Sequence, residues 1–521
     1  MLPSIHTPNH DQRHLCDGLW ILYYHCVSSL SSFSSMEAHG VIQNTKFIID
    51  DESTHFRKSN DSNSTNTTSL SRRQYNCTDS LITCRVEGYL QNVSLRHVFL
   101  LMLREKFLEE DYREKYLMSA SAETVTLIGL IAKKCLRLLE EGFKSEEIIQ
   151  ALTVFCETCI QEIRSHSIAI KENEMYSFLD RIHKKAIQGE NEPLRLATES
   201  LLALPLETFS RNGTTLSLFI NNGRVNCYKF MGTGRKSFIC HGLVLPVHFS
   251  NLSSVGFAVE GKCLFIEGHL MDSNVLNFVQ ENYIKIVFCS GEIAEPLRDL
   301  FTNHQICYMY HISQKDANKI FHICNIMPLP SIFLEELFSE EQHCAQISIN
   351  PLEGFEHENI YHNSTDKYVT LLGKNFTRSV ISCVICCSSL KVRLYEEKYW
   401  ECMIFLWNCL KHKEYTANKL NTLTQCMQVM ESYCETLERK STLPPNTFHE
   451  SLRDMIWIAL STSGLEYSKC TSVTQTICSG QPLESSDSML ENETDTFSLE
   501  RMFEIVHNMF SIILNTDIVI K

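Results

Sequence analysis

The sequence contains no uninterrupted apolar run of about eighteen residues or more, the length that a membrane-spanning helix needs, so no membrane span is predicted. It also lacks any long block of Lys and Arg, and its formal net charge is −15. A nucleic-acid-binding surface uses basic side chains to neutralise phosphates. These two features therefore argue against a nucleic-acid partner.

The signatures of common catalytic and metal sites are also missing. No G-x-S-x-G nucleophile turn and no H-E-x-x-H zinc pair is present. The stretch Gly232–Lys236 lacks the spacing of a phosphate-binding loop, so a turn is the preferred interpretation. Two cysteine pairs have metal-like spacing, Cys156/Cys159 and Cys383/Cys386, but they lie on a helix face and in an apolar strand. We therefore assign no catalytic residue and no metal ligand.

Cysteine itself is abundant, with 23 residues scattered through apolar runs. An odd total cannot pair completely within one chain, and reduced cysteine packs like a small hydrophobe, which favours a cytosolic core. The alternative is a secreted, disulfide-bonded glycoprotein. Gly18–Val27 has the apolar character of a signal segment, and glycosylation sequons follow at Asn63 and Asn66. No basic segment precedes that stretch and no typical cleavage site follows it, so secretion is the weaker hypothesis.

The clearest folding pattern covers residues 282–332. An apolar run at 283–289 predicts a buried strand, 292–302 has helical spacing, 306–312 predicts a second strand, and Ser313 can cap a helix over 314–323. Strands and helices that alternate with short joints predict parallel strands in an α/β layer. Earlier in the chain, Gly142 separates two amphipathic helices, and the second begins at Ser145.

Five segments in chain order resemble group II chaperonins: 140–163 (EEGFKSEEIIQALTVFCETCIQEI), 242–245 (GLVL), 282–332, 396–410 and 509–521. The resemblance implies an α+β multidomain chaperonin fold, with a helical equatorial domain, a small intermediate domain and an α/β apical domain. No segment is long and helical enough for the apical helical protrusion of that family, so we expect it to be absent. The implied bounds are 1–165 and 402–521 (equatorial), 166–240 and 350–401 (intermediate), and 241–349 (apical).

The resemblance also implies where a nucleotide site would lie, and those positions have changed. In the stretch aligned with the family's "LGPxGxxK" turn, only Gly40 remains. The family's "GDGTT" falls on residues 121–125, with Ala122, Glu123 and Thr124 in its centre and Ala122 in place of the Mg²⁺-binding carboxylate. The aspartate of "DAL" falls at Glu401 or Cys402, and the glycines of "GGGAxE" fall near 415–418.

Phosphoryl transfer depends on positioned metal and charge, so damage at all four elements predicts a protein that is not an ATPase and needs no cofactor. ATP and Mg²⁺ would be cofactors only under the alternative hypothesis, a conventional ATP-dependent cytosolic chaperonin subunit. Function would then depend on surface contacts. In the relatives, the helix matching 292–303 meets clients, which makes Ile293, Leu297, Leu300 and Phe301 candidate client-binding residues. The other interpretation is that they pack this helix on its sheet.

Loss of the nucleotide elements and of the protrusion is similar to the divergent chaperonin-like proteins of the Bardet–Biedl group. The run TKFIIDDE at 45–52 adds to that resemblance. It implies a protein of the cytoplasm, or of the centrosome and ciliary basal body. Such a protein would help to assemble a ciliary coat complex of the BBSome type, with other chaperonin or chaperonin-like subunits as partners and ciliary proteins as clients.

Overall fold

A computed structural model describes Leu19, 121–205, Phe209, 215–231, 236–247, 249–252, 258–359, 364–373, 380–387, 389–436, 443–462 and 493–515. Several predictions lie outside these residues: most of the apolar stretch 18–27, Gly40 with its turn, the segment 45–52, the sequons at Asn63 and Asn66, the turn at 232–235, and the end of the segment 509–521.

The described helices alternate with strands only in the middle of the chain. In chain order they are α1 Ser121–Glu140, α2 Ser145–Ser165, α3 Met175–Gln188, α4 Glu192–Leu202, α5 Leu216–Asn221, α6 Val275–Glu281, α7 Glu295–Asn303, α8 Gln314–Cys324, α9 Leu334–Leu337, α10 Glu340–His343, α11 Ser389–His412, α12 Lys419–Thr436, α13 His449–Thr462 and α14 Thr496–Asn515. Among them, none is long and apolar enough to cross a bilayer.

The strands form three sheets. They are β1 Ile168–Ala169, β2 Val225–Met231, β3 Phe238–His241, β4 Leu243–Val247, β5 Phe249–Ser250, β6 Val259–Glu267, β7 Ile284–Cys289, β8 Cys307–Tyr310, β9 Leu329–Pro330, β10 Cys344–Asn359, β11 Ser364–Gly373, β12 Ile381–Cys387 and β13 Glu414–Tyr415. The eight-stranded sheet has the order β4-β11-β10-β6-β7-β8-β5 with β9 beside β6, the three-stranded sheet is β2-β12-β3, and β1 pairs with β13.

One all-helical core joins the two ends of the described chain, and we call it the helical unit. It contains α1, α2, α12, α13 and α14, whose buried side chains form one cluster. Phe155 of α2 lies at its centre, with ring centroids 5.9 Å from Phe448 and 5.8 Å from Phe503. The helices before residue 165 and those after residue 419 therefore share a single hydrophobic core.

Local sequence signals explain how α1 ends and α2 begins. Gly142 has φ +95°. Its N–H donates to Leu139 O (3.1 Å) and the N–H of Phe143 donates to Leu138 O (3.0 Å), a hydrogen-bond pair typical of glycine-terminated helices. Glu147 then accepts the N–H of Lys144 at 3.0 Å and fixes the start of α2. The predicted helix break at Gly142 is confirmed.

The eight-stranded sheet and its helices α6–α10 form the sheet unit, which has a core on each face. Strands β6, β7 and β8 are parallel. Along β7, Ile286 and Phe288 face one core, whereas Val287 and Cys289 face the other. This alternation explains why a continuous apolar run marks the strand, because both faces are covered. The predicted parallel α/β arrangement of residues 282–332 is confirmed.

The capping prediction for α8 is also confirmed. Ser313 Oγ accepts the N–H of Asp316 (3.2 Å) and donates to the carboxylate of Asp316 (2.7 Å). The preceding helix differs from the prediction, since α7 begins at Glu295 rather than at 292. Leu270 forms a β-bridge with Ile293 and hydrogen-bonds Glu292 and Ala294, which holds those residues extended. A contact distant in the sequence therefore overrides the local helical spacing.

A third group of elements, the linking unit, connects the other two. It consists of α3, α4, α5, α11 and the sheet β2-β12-β3, which share one core with Tyr399 fully buried in it. The chain passes through the helical, linking and sheet units, then returns through the linking unit to the helical unit.

Two of the predicted domain bounds differ from this packing. Residues 350–373 were assigned to the intermediate domain. They belong to β10 and β11, which pair with β6 and β4 in the large sheet. Residues 402–412 were assigned to the equatorial domain. They continue α11, whose Met403, Leu406 and Leu410 lie in the core of the linking unit. The other bounds stay predictions.

Candidate functional site

An ion pair joins the beginnings of two helices in the helical unit. Glu123 lies in the first turn of α1, and Lys419 is the first residue of α12. The ammonium of Lys419 donates to Oε1 of Glu123, and the side chains are 25% and 19% exposed, respectively. A carboxylate is favoured at a helix N-terminus, whereas an ammonium is disfavoured there. The pairing therefore compensates Lys419 for an unfavourable position.

The pKa of each member of the pair is shifted in the direction that favours its charged form. Burial alone would raise the pKa of Glu123, but the adjacent Lys419 ammonium outweighs that effect and holds this pKa below its ordinary value. Burial would likewise lower the pKa of Lys419. Attraction to Glu123, with smaller contributions from Glu401 and Asp495, instead raises it. Three carboxylates thus act on one ammonium, and we call this group the Lys419 cluster.

Asp495, the third carboxylate, is buried and fixed by hydrogen bonds. Its Oδ1 accepts the N–H of Ser498 at 2.7 Å, which caps the beginning of α14, and the side-chain amide of Asn408 at 3.3 Å. The first bond belongs to the helical unit, and the second comes from α11 of the linking unit. Asp495 therefore lies at the boundary between these two units.

A network of hydrogen bonds surrounds the cluster where the chain crosses between units. The backbones of Thr416 and Thr494 exchange two hydrogen bonds, of 2.8 and 3.0 Å. The hydroxyl of Thr496 lies 3.2 Å from that of Thr416 and 3.3 Å from that of Ser167, which donates to Glu414 at 2.9 Å. The end of α2, the strand β13 and the start of α14 therefore meet next to the Lys419 cluster.

Two of the predicted nucleotide-site residues, Glu123 and Glu401, interact with Lys419. The structure also describes the surroundings of the other positions on α1 and α11. Glu123 is paired, and Glu401 of α11 contributes to the potential at Lys419. Thr124 is fully buried in α1, and Ala122 belongs to the first turn of the same helix. Burial raises the pKa of the Cys402 thiol to about 12, so at neutral pH it is not an anionic substitute for a carboxylate.

Neither Lys419 nor Asp495 was predicted from the sequence as part of this site. A signal was present for Asp495, because an Asp just before an apolar helical stretch is a common helix cap. Lys419 follows the segment 415–418, which was considered only for its missing glycines. Its pairing with Glu123, 296 positions away in sequence, has no local signal.

Glu123, the carboxylate next to the predicted Mg²⁺ position, is already paired with an ammonium. Mg²⁺ is bound through carboxylates together with phosphate oxygens, and the Glu123 carboxylate is committed to an ammonium. Within the described ranges, no group of three or more His, Cys, Asp or Glu side chains could hold a metal ion. Lys419 instead supplies a built-in positive charge, and the cluster links three helices electrostatically.

The predicted client-binding residues on α7 and just before it need a correction. Ile293, Leu297 and Phe301 are at most 1% exposed and pack in one core of the sheet unit, and Leu300 is half-buried against the same core. Phe301 contacts the ring of Tyr308 on β8, with centroids 6.2 Å apart. The prediction of an exposed apolar rim here is wrong, because this face attaches α7 to its sheet.

Comparison with known proteins places this geometry in a structural class. No protein-family profile matches the sequence, and no curated protein matches it. Among solved structures, the chain is similar to an open-state monomer of a group II chaperonin from Methanococcoides burtonii. The TM-score is 0.52 at 14% identity, over 76% of this chain and 99% of that one. The chain has a group II chaperonin-like fold. At this identity the likeness concerns the fold alone.

Proposed function

We propose that this chain is a chaperonin-like protein that assists the folding or assembly of a protein complex through protein–protein contacts and does not hydrolyse ATP. The observation that supports this most is the ion pair between Glu123 and Lys419, within a chaperonin-like fold. Glu123 directly follows Ala122, the position where the resemblance puts the metal-binding carboxylate of an ATPase. Beside that position the chain has a lysine ammonium paired with a glutamate.

Hydrolysis of ATP needs a divalent cation that bridges phosphate oxygens and neutralises developing negative charge. The Lys419 ammonium is paired with Glu123 and attracted by Glu401 and Asp495. It therefore supplies positive charge to these carboxylates without a metal ion. Mg²⁺ could bind these carboxylates only by displacing the Lys419 ammonium. That displacement would cost the free energy of the existing ion pair.

A direct test measures chaperone action and hydrolysis together. The purified full chain is mixed with a chemically denatured client, citrate synthase, and light scattering and phosphate release are followed with and without Mg·ATP. We expect suppressed scattering that is the same with and without nucleotide, and no phosphate release above the buffer rate. Suppression that requires Mg·ATP and is accompanied by phosphate release would instead support the alternative, a conventional ATP-dependent chaperonin subunit.

Partners and location form the finer part of the proposal. The resemblance of residues 45–52 to a motif of the Bardet–Biedl chaperonin-like group, and within it to the twelfth member, favours a role in assembling a ciliary coat complex of the BBSome type. The partners would be other chaperonin or chaperonin-like subunits together with ciliary clients. The location would be the cytoplasm and the centrosome or basal body.

Affinity purification of the tagged full chain from ciliated cells, followed by mass spectrometry, tests this part. We expect chaperonin subunits and coat-complex proteins above the level captured by the tag alone. Recovery of neither class would contradict it.

A further inference from the structure

Four large apolar side chains are exposed at one corner of the sheet unit. They are 61% (Met271), 81% (Ile332), 43% (Phe333) and 53% (Leu337) exposed. Met271 follows β6, and the other three lie in the turn and the short helix α9 after β9. We call these four residues the corner patch.

The elements that carry the corner patch are adjacent in space. Strand β9 pairs with the end of β6, with Leu329 opposite Ile266 and Pro330 opposite Glu267. A Cβ built on Gly268 would lie 2.8 Å from Oγ of Ser331, so the two chain segments touch just before Met271 and Ile332. The rings of Phe278 and Phe338 meet edge to face at 5.0 Å and hold α6 next to the end of α9.

Buried neighbours hold the patch in place. Leu270 and Leu334, which precede Met271 and follow Phe333, are 1% and 8% exposed and belong to the same core. Leu270 is also hydrogen-bonded on both sides, its N–H to Glu292 O (2.8 Å) and its carbonyl from the N–H of Ala294 (2.9 Å). A surface that is ordered before binding loses less conformational entropy when a partner docks.

The chain segments that carry the corner patch contain formal charges of one sign. Residues 263–284 and 320–343 contain no Lys or Arg, and they carry seven carboxylates, all of them exposed: Glu267, Asp272, Glu281, Glu335, Glu336, Glu340 and Glu341. Lys262 approaches from outside these segments and pairs with Glu340 at 2.6 Å. An apolar centre with a carboxylate border attracts a partner that has apolar side chains flanked by positive charge.

We propose that the corner patch docks a basic amphipathic segment of a partner protein, with apolar side chains against Ile332 and Leu337 and Lys or Arg against the surrounding carboxylates. This inference rests on the proposed function, in which the chain acts through protein–protein contacts, and it specifies the chemistry of the partner. It also moves the expected contact surface from α7 to the loops beside β6 and β9.

Fluorescence anisotropy of the full chain with labelled model peptides tests the proposal. The probe is an amphipathic helix of Leu and Lys, and its matched control replaces every Lys with Glu. We expect the Leu/Lys peptide to bind at least about tenfold more tightly than the Leu/Glu peptide, and its affinity to fall as salt is raised, because exposed charges are screened.

Paired variants test the site. Ile332→Ser with Leu337→Ser should weaken the Leu/Lys peptide about tenfold or more, because both lost side chains lie in the apolar centre of the site. The control is Ile187→Ser with Leu218→Ser, two exposed residues of the same types in the linking unit (53% and 42% exposed), and it should bind as wild type does.

Charge reversal provides a second pair of variants. Glu335→Lys with Glu336→Lys should weaken binding of the Leu/Lys peptide and strengthen binding of the Leu/Glu peptide. Glu140→Lys with Glu141→Lys, two exposed carboxylates at the end of α1, should change neither. The single variant Ile332→Ser, at the most exposed position of the patch, serves if a double variant misfolds.

The proposal is overturned if the two peptides bind equally, if the patch variants keep wild-type affinity, or if the control variants lose as much. These results separate it from the proposed function. Patch variants that bind no peptide but still suppress client aggregation would leave the proposed function in place with another contact surface. Peptide binding without suppression of aggregation would support the corner patch as a docking site and contradict the chaperone role.

Discussion

Removing one partner of the Glu123–Lys419 pair perturbs the cluster on which the functional proposal depends. Two unit charges in contact attract by about 4 kcal/mol at the effective dielectric constant near a protein surface. Desolvation of two groups that are 19% and 25% exposed offsets part of that attraction. We therefore expect a coupling free energy of about 2 kcal/mol between the two side chains.

A double-mutant cycle with Glu123→Gln, Lys419→Met and the combined variant isolates this coupling. The chain has several cores, so global unfolding is not expected to be two-state. Native-state hydrogen exchange at buried amides of α1, such as those of Leu127 and Ile128, reports the local opening free energy instead. Each single variant should lower the local opening free energy. The combined variant should lower it by less than the sum of the two single effects. A coupling below about 0.3 kcal/mol, which is within ordinary additivity, would refute the reasoning.

The pH dependence of the same coupling follows from the pKa directions. The pKa of Glu123 is lowered on folding, so its contribution is present above the ordinary value of 4.5 and is lost as the pH falls through the lower folded pKa. The pKa of Lys419 is raised, so its contribution is present below 10.5 and is lost as the pH rises through the higher folded pKa. The coupling should therefore be constant between about pH 5 and pH 10.

Three further predictions concern packing and reactivity. Phe301→Ala should lower the local opening free energy of the sheet unit, measured by native-state hydrogen exchange, by about 3–5 kcal/mol, because the ring is fully buried, and a loss below about 1 kcal/mol would contradict that burial. Gly242→Ala should cost about 2 kcal/mol or more, since Gly242 has φ +107° and a Cβ there would lie 2.7 Å from Leu371 O. The matched control Gly189→Ala, at negative φ, should be close to neutral. Burial raises the pKa of the Cys159 thiol, so iodoacetamide at pH 8 should label it only after unfolding in urea, and labelling of the native protein seen by mass spectrometry would contradict its position in the core.

The sequence alone predicted the elements whose signals are local. Ser313 with Asp316 gave the start of α8, Gly142 gave the end of α1, and the apolar run that ends at Cys289 gave a strand covered on both faces. In each case neighbouring residues contain the physical cause. The chaperonin-like fold was implied by the resemblance of five segments in the same chain order, and the similarity to a solved group II chaperonin supports that fold.

The features that sequence reasoning missed depend on distant contacts. The late start of α7 depends on the bridge from Ile293 to Leu270, and the extent of the large sheet depends on pairing of β10 with β6. The apolar stripe of α7 has the same spacing whether it is exposed or buried, so periodicity could not choose between a rim and a core. The Lys419 cluster joins α1, α11 and α12, and no short pattern identifies it.

We propose that Lys419 supplies the cation at the position where the chaperonin resemblance puts a nucleotide site. Isothermal titration calorimetry of the full chain with Mg·ATP tests it most directly. We expect no saturable heat up to roughly millimolar nucleotide, where the binding free energy would be only about 4 kcal/mol. Saturable binding with a micromolar Kd that Glu123→Gln abolishes would contradict it.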